Sequence, residues 1–208
     1  DRQPIENAEV DDVHVGDAAD LEWMQGVCAG MDAVVHLAGD PSVGASWQSV
    51  LDINIKGTYS TYEAARCGGA SRLVFASSNH ATGFYEQEGV YTTPDMLPRP
   101  DSLYGVSKTF GEDLGRFYVD QFGMKAFNLR IGSFQPDEAV AKRGSDRILS
   151  TWLSYRDTVQ LVWRCLEVEG VDFGIYYGIS GNKRAYWDIQ NVRSELGYAP
   201  EDDAERFV

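Results

Sequence analysis

RLVFASS, residues 72–78, sets four apolar side chains in a row and then stops on two serines. Apolar and polar residues do not alternate, so neither face of such a strand suits water. DAVVHLAG (32–39), KAFNLRIG (125–132) and FGIYYGIS (173–180) have the same character. Helical patterns separate them, from about Ser46 to Arg66, from Tyr104 onward, and over YRDTVQLVWRCLEV (155–168). Buried strands alternating with helices predict a parallel sheet covered on both faces, a doubly wound α/β fold. Ligands in such folds bind beyond the carboxyl ends of the strands. Here the strands run out into small or hydrogen-bonding residues: HLAG, SSNH and IGS.

With 208 residues, 43% of them hydrophobic, the chain is long enough for one well-buried core with a minor lobe. A net charge of −14 argues against nucleic acid, whose phosphates would be repelled. The same acid excess fits a chain kept soluble in high salt. No apolar run approaches the roughly 20 residues of a membrane span, and no signal-peptide pattern opens the chain. Cys28, Cys67 and Cys165 are odd in number and lack metal-ligand spacing. They read as reduced thiols of a cytoplasmic protein. Histidines are few and scattered, so a metal site is not expected. Ser133–Leu149, with Gly, Pro and mixed charges, reads as a mobile connection into the smaller lobe.

LYGVSKTFGEDLGRFY (103–118) places Tyr104 and Lys108 four residues apart, on one helix face where their side chains reach a common point. Gly105, Ser107 and Gly111 keep the neighbouring surface low, and Phe110, Leu114 and Phe117 mark an apolar stripe. Alone, so short a pattern is more often a surface pair on an amphipathic helix.

The order of the elements changes that balance. HLAG (36–39), NIKGT (54–58), FASSN (75–79), the Tyr104/Lys108 pair and LRIGS (129–133) together resemble the extended short-chain dehydrogenase/reductase family, which includes NAD-dependent epimerases and dehydratases. Within it, FASSNHATGFY, LYGVSK, RILSTWLS and YWD (186–188) look most like uronate dehydrogenases. HLAGDP (36–41) and WLSYRD (152–157) also look like haloarchaeal sugar dehydrogenases, including a glucose-6-phosphate type. The resemblance implies a Rossmann-like dinucleotide-binding core over 1–132, and substrate-lobe elements over 133–208 within the same domain. It further implies NAD as cofactor, a small-molecule sugar as substrate and a homo-oligomer. The family's glycine-rich loop is absent, and DRQP at the start resembles the end of the family's second strand. The expectation is a missing N-terminal βα unit of roughly 30 residues. The other possibility is a polypeptide that does not hold a dinucleotide in the usual way.

By resemblance, Tyr104 is the catalytic base, Lys108 its charge partner and a holder of the nicotinamide ribose, and Ser78 the donor to the reacting oxygen. Ser77 is the neighbouring alternative. A phenol near pKa 10 is a poor base at neutral pH. An ammonium about 4 Å away would lower it by up to about 3 units. Asp1 is expected on the adenosine ribose, unless it is a loose terminal aspartate. Asp17 and Ala18 are expected at the adenine, although Asp17 also reads as a solvated loop residue. Leu37, Ala38 and Gly39 would let the cofactor approach the backbone, with Ile131 beside it. Asn54 is either a buried helix-bending amide or part of the catalytic hydrogen-bond chain at the cofactor. Ser42, Asn79, His80 and Ser133 match substrate-contacting positions, His80 alternatively being structural, as His14 and His36 look. Arg147 matches the arginine that pairs with a sugar carboxylate, against a solvated loop residue. The expected reaction is oxidation of a hexuronate at C1 to an aldonolactone. The competing readings are a sugar or glucose-6-phosphate dehydrogenase, a nucleotide-sugar epimerase or dehydratase, and a non-catalytic dinucleotide-binding protein.

Overall fold

Strands β1 (Ala33–His36), β2 (Arg72–Ser78) and β3 (Lys125–Ile131) pair in that order, all parallel. β4 (Ser133–Phe134) and β5 (Trp152–Leu153) form a short parallel ladder apart from them, and β6 (Phe173–Gly178) completes the main sheet beside β3. The computed structural model describes residues 1–5, 9–143 and 145–208. Helices α1 (Leu21–Cys28), α2 (Trp47–Ser49), α3 (Lys56–Gly68), α4 (Gly83–Gln87) and α5 (Leu103–Phe122) belong to the first part of the chain. Helices α6 (Asp137–Arg143), α7 (Asp146–Thr151), α8 (Tyr155–Glu167) and α9 (Gln190–Leu196) follow. The result is an α/β, Rossmann-like sheet with helices on both faces.

The unbroken apolar strands have a direct packing cause. Leu73 and Phe75 of β2 join Tyr62 and Ala65 of α3 and Tyr118 of α5 in one core. Val74, between them, points to the opposite core with Phe127, Leu129, Leu161 and Cys165. Successive side chains of a strand alternate faces, so a strand buried on both is apolar except where a buried polar group finds a partner, as Asn128 and Arg130 of β3 do.

α5 is defined at both ends by its sequence. The Ser102 hydroxyl accepts from the Gly105 amide at 3.0 Å, and Gly123 closes the helix in the left-handed region with φ 69°. Its glycines allow close seating on the sheet. A Cβ at Gly111 would lie 2.3 Å from the Phe75 ring, and one at Gly105 would lie 2.2 Å from the His80 carbonyl oxygen. Alanine at 111 would gain about 1 kcal/mol of helix propensity. It would also have to displace a buried ring, at about 1–3 kcal/mol. Gly111→Ala is therefore expected to lower the urea midpoint of unfolding; an unchanged or higher midpoint would mean that Phe75 yields freely.

Two segments differ from their sequence reading. The helix expected from about Ser46 to Arg66 contains a π-helical stretch, Val50–Ile55, in which the Lys56 amide donates to the Leu51 carbonyl five residues back. Ser133–Leu149 carries β4, α6 and the start of α7, with Val140 and Leu149 buried against Trp152 and Ala204. Val140 and Leu149, with Ile148 beside them, suffice to pack this largely polar stretch. The second part of the chain also re-enters the main sheet, since β6 pairs with β3.

Candidate active site

A cavity of about 470 Å³ opens beyond the carboxyl ends of β1, β2 and β3, with Ser78, Asn79, His80, Tyr104, Lys108, Ile131, Ser133 and Arg147 on its walls. The strand pleat separates the two serines ending β2. The Ser77 hydroxyl donates to Glu112 at 2.5 Å, and Arg130 donates to the same carboxylate through Nε (2.9 Å) and Nη2 (2.8 Å). That ion pair is almost wholly buried and ties the ends of β2 and β3 to α5. Ser78 caps the 3₁₀ turn Asn79–Thr82, its hydroxyl accepting from the His80 amide at 3.2 Å.

Lys108 is buried, and its Nζ donates to the Ala76 carbonyl at 2.8 Å. It lies 5.1 Å from the centre of the Phe75 ring and 5.4 Å from that of Tyr104. Burial pulls its pKa down to about 8. The Tyr104 phenol is raised above its ordinary value: burial is the main cause, the Ser78 hydroxyl works against it, and the charge of Asp40 adds to it. The expectation of a lowered phenol is thus corrected: it stands above its ordinary value. The Lys108 ammonium is hydrogen-bonded to a strand carbonyl, and desolvation is the largest influence on the phenol. His36, beneath, is buried with its ring nitrogens 3.2 Å from Thr58 Oγ1 and 3.4 Å from Thr61 Oγ1; burial and the Lys108 charge hold it neutral, with a pKa of about 3.

Asn54 turns away from the cavity. Its Oδ1 accepts from the Asp40 amide at 2.7 Å, and its Nδ2 donates to the Asp40 carbonyl and to Ser107 Oγ, each at 3.1 Å. The side-chain amide therefore staples the loop after β1 to α5. Ser42 is exposed in that loop, off the cavity wall, its amide donating to Asp40 Oδ1 at 2.9 Å. His80 Nδ1 lies 2.9 Å from Asp101 Oδ2, and the imidazole meets Tyr104 edge-on at 5.8 Å between centroids. The Asn79 amide is oriented to donate to the Ile131 carbonyl and accept from Arg147 Nη2, both at 3.1 Å. Ser133 Oγ is 2.9 Å from Thr151 Oγ1 and accepts from Arg147 Nη1 at 3.2 Å. Arg147 donates from Nε to Glu86 Oε1 at 2.5 Å and from Nη2 to Glu86 Oε2 at 3.3 Å.

A second cleft, of about 720 Å³, joins the first at Leu37 and Gly39 and runs past Ala38 to Asp1, Asp17 and Ala18. Asp1 is exposed, with its Oδ1 accepting from the Gln3 amide at 3.1 Å; Asp17, also exposed, accepts from the Ala19 amide at 2.9 Å. Gly39 decides whether an extended ligand passes from one cleft to the other. A Cβ there would stand 3.4 Å from Asn54 Oδ1 and 3.6 Å from Lys108 Nζ, and its absence leaves the passage to Lys108 clear. The two clefts thus form one path from Asp1 to Tyr104, open to an extended ligand. Asp40, Glu86 and Asp101 were not singled out from sequence. Asp101 stands immediately before the cap of α5, a weak signal, and Glu86 lies in a stretch that reads as loop.

Among the described residues no group of three or more His, Cys, Asp or Glu side chains could hold a metal ion. No helix among them is long and apolar enough to cross a membrane.

The model of the NAD dependent epimerase/dehydratase family matches residues 1–154. An NAD-dependent glucose-6-phosphate dehydrogenase of Haloferax volcanii is 40% identical, the alignment covering 100% of this chain and 85% of that protein. A uronate dehydrogenase of Agrobacterium fabrum is 42% identical over 92% of this chain and 69% of its own length. Among solved structures, a mutant uronate dehydrogenase from Agrobacterium tumefaciens complexed with NAD superimposes with a TM-score of 0.88 and 38% identity, covering 99% of this chain and 75% of that one. By family match, identity and fold alike, the chain belongs to the NAD dependent epimerase/dehydratase family.

Proposed function

We propose that this NAD-dependent sugar dehydrogenase oxidises a hexuronate at C1 to an aldonolactone. The observation that carries the reading is the presence of the Tyr104 phenol and the Arg147 guanidinium on the walls of one cavity. One can act at the reacting carbon while the other reads an anionic group elsewhere on the sugar. The uronate dehydrogenase relatives support it. A panel of uronates, aldoses and sugar phosphates, followed by NADH absorbance, tests it. A hexuronate should give the highest kcat/KM. Preference for glucose 6-phosphate would favour a sugar-phosphate reading, which the Haloferax relative supports and which the same arginine would serve.

NAD would lie along Asp1, Asp17, Ala18 and the Leu37–Gly39 backbone, with Ile131 and Lys108 at its reactive end. Bound there, it supplies the hydride acceptor. Tyr104, as phenolate, takes the proton of the anomeric hydroxyl, a general-base step. Ser78 donates a hydrogen bond to the reacting oxygen and fixes its direction. Asn79, His80 and Ser133 line the wall between Tyr104 and Arg147 and suit the sugar hydroxyls. Lys108 stabilises the phenolate only while it is an ammonium.

This division of roles fixes a pH dependence. Activity needs Tyr104 deprotonated and Lys108 protonated. The phenol lies above its ordinary value and the lysine at about 8, so the required form is a minority. Below the lysine pKa, raising the pH increases phenolate while ammonium stays constant. kcat/KM for oxidation should rise about tenfold per pH unit. Above it, phenolate gain and ammonium loss offset each other. The profile should flatten from about pH 8 and bend down only on the far alkaline side. Stopped-flow or steady-state kcat/KM from pH 6 to 10 would reveal the break, and a rise continuing without a bend through pH 9 would remove Lys108 from the mechanism.

A further inference from the structure

Arg147 enters the cavity with its fork largely occupied. An arginine side chain carries five N–H donors. Nε and one Nη2 hydrogen face Glu86, the other Nη2 hydrogen faces the side-chain amide oxygen of Asn79, and one Nη1 hydrogen faces Ser133 Oγ. One Nη1 hydrogen is left without a partner among the described residues. Glu86 therefore does two things at once. It pins the guanidinium by the edge away from Ser133, presenting the Nη1 end to the sugar. It also places a carboxylate, a fifth exposed, against the positive charge that would attract an anionic substrate. Burial and the nearby Glu86 charge raise the Tyr186 phenol, which places that hydroxyl beside the same carboxylate. Asp101 carries further negative charge near Arg147, but it is engaged with His80.

We infer that Glu86 is a specificity-determining residue that acts through Arg147: it orients the guanidinium and holds down the affinity of that subsite for an anionic group on the sugar. The inference rests on Arg147 reading such a group and adds the counter-charge that sets how strongly it does so. An arginine without this neighbour would retain a charged sugar acid tightly. With it, the oxidised product, which keeps the same anionic group, is released more readily.

The test separates charge from geometry. Glu86→Gln retains an oxygen that accepts from Nε and removes the charge. Glu86→Ala removes both. Steady-state kinetics with glucuronate, glucose 6-phosphate and glucose would be compared for wild type, Glu86→Gln, Glu86→Ala and Arg147→Ala, each also in pairs. For Glu86→Gln, the kcat/KM ratio of the preferred anionic sugar over glucose should rise about three- to tenfold. The gain should appear in KM, and it should vanish when Arg147 is also alanine. Glu86→Ala should gain less than Glu86→Gln, because it frees the guanidinium to turn. A ratio that is unchanged or falls in Glu86→Gln, while Arg147→Ala still lowers it, overturns the role given to Glu86 and leaves the functional reading standing. A ratio untouched by Arg147→Ala overturns both.

Discussion

Replacing Tyr104 with phenylalanine is expected to cut turnover of the sugar by about 10²–10⁴-fold, the usual contribution of one acid–base group. NAD affinity should change little. The phenylalanine ring keeps the contacts that the tyrosine ring makes: Lys108 over its face at 5.4 Å and His80 at its edge at 5.8 Å. Only the phenolic oxygen is lost. Turnover measured by NADH absorbance, with cofactor binding measured by calorimetry on the same preparation, distinguishes a chemical loss from an unfolded site. A variant keeping more than about a tenth of the wild-type rate would falsify the assignment of Tyr104 as base.

The second large effect belongs to Arg147. Arg147→Ala should lose about 1.5–3 kcal/mol of interaction with a hexuronate, the scale of a charged hydrogen bond. That corresponds to roughly a 10- to 150-fold fall in kcat/KM. A neutral aldose should lose far less, through the loosening of Ser133 and Asn79, which Arg147 also contacts. The decisive quantity is the ratio between the two sugars. Equal losses on both would make Arg147 a prop for the cavity wall and withdraw the carboxylate reading.

Much of this architecture is legible in the chain because its cause is local. RLVFASS occupies β2 from end to end, since a strand buried on both faces keeps an apolar run, and its one early polar residue, Arg72, donates to the carbonyls ending α8. The glycines of LYGVSKTFGEDLG announce a helix lying close against something, and Phe75 is that surface. What escapes the sequence is set by distant partners. Glu86 meets Arg147 across 61 positions, from a five-residue helix in a stretch rich in turn-forming residues. No periodicity reports such a meeting. Tyr104 shows the same limit in another form. Its spacing from Lys108 is written in the chain, but the balance between that charge and the burial of the phenol depends on Phe75, Ala76 and Asp40, which only folding assembles.

The π-helical turn at Val50–Ile55 has a consequence for how this site tolerates change in length. A π turn accommodates one more residue than an α turn spanning the same rise. Each α-helical residue advances the side chains by about 100°. Deleting a single residue from this stretch would let the hydrogen bonds revert to the α pattern, a locally favourable outcome. It would also swing Asn54 out of phase with Tyr62 and Ala65, so that the chain could keep the staple at Asp40 and Ser107 or the packing of α3 on the sheet, but not both. The residue count between Ser46 and Gly57 acts as a gear setting that meshes the loop after β1 with the core.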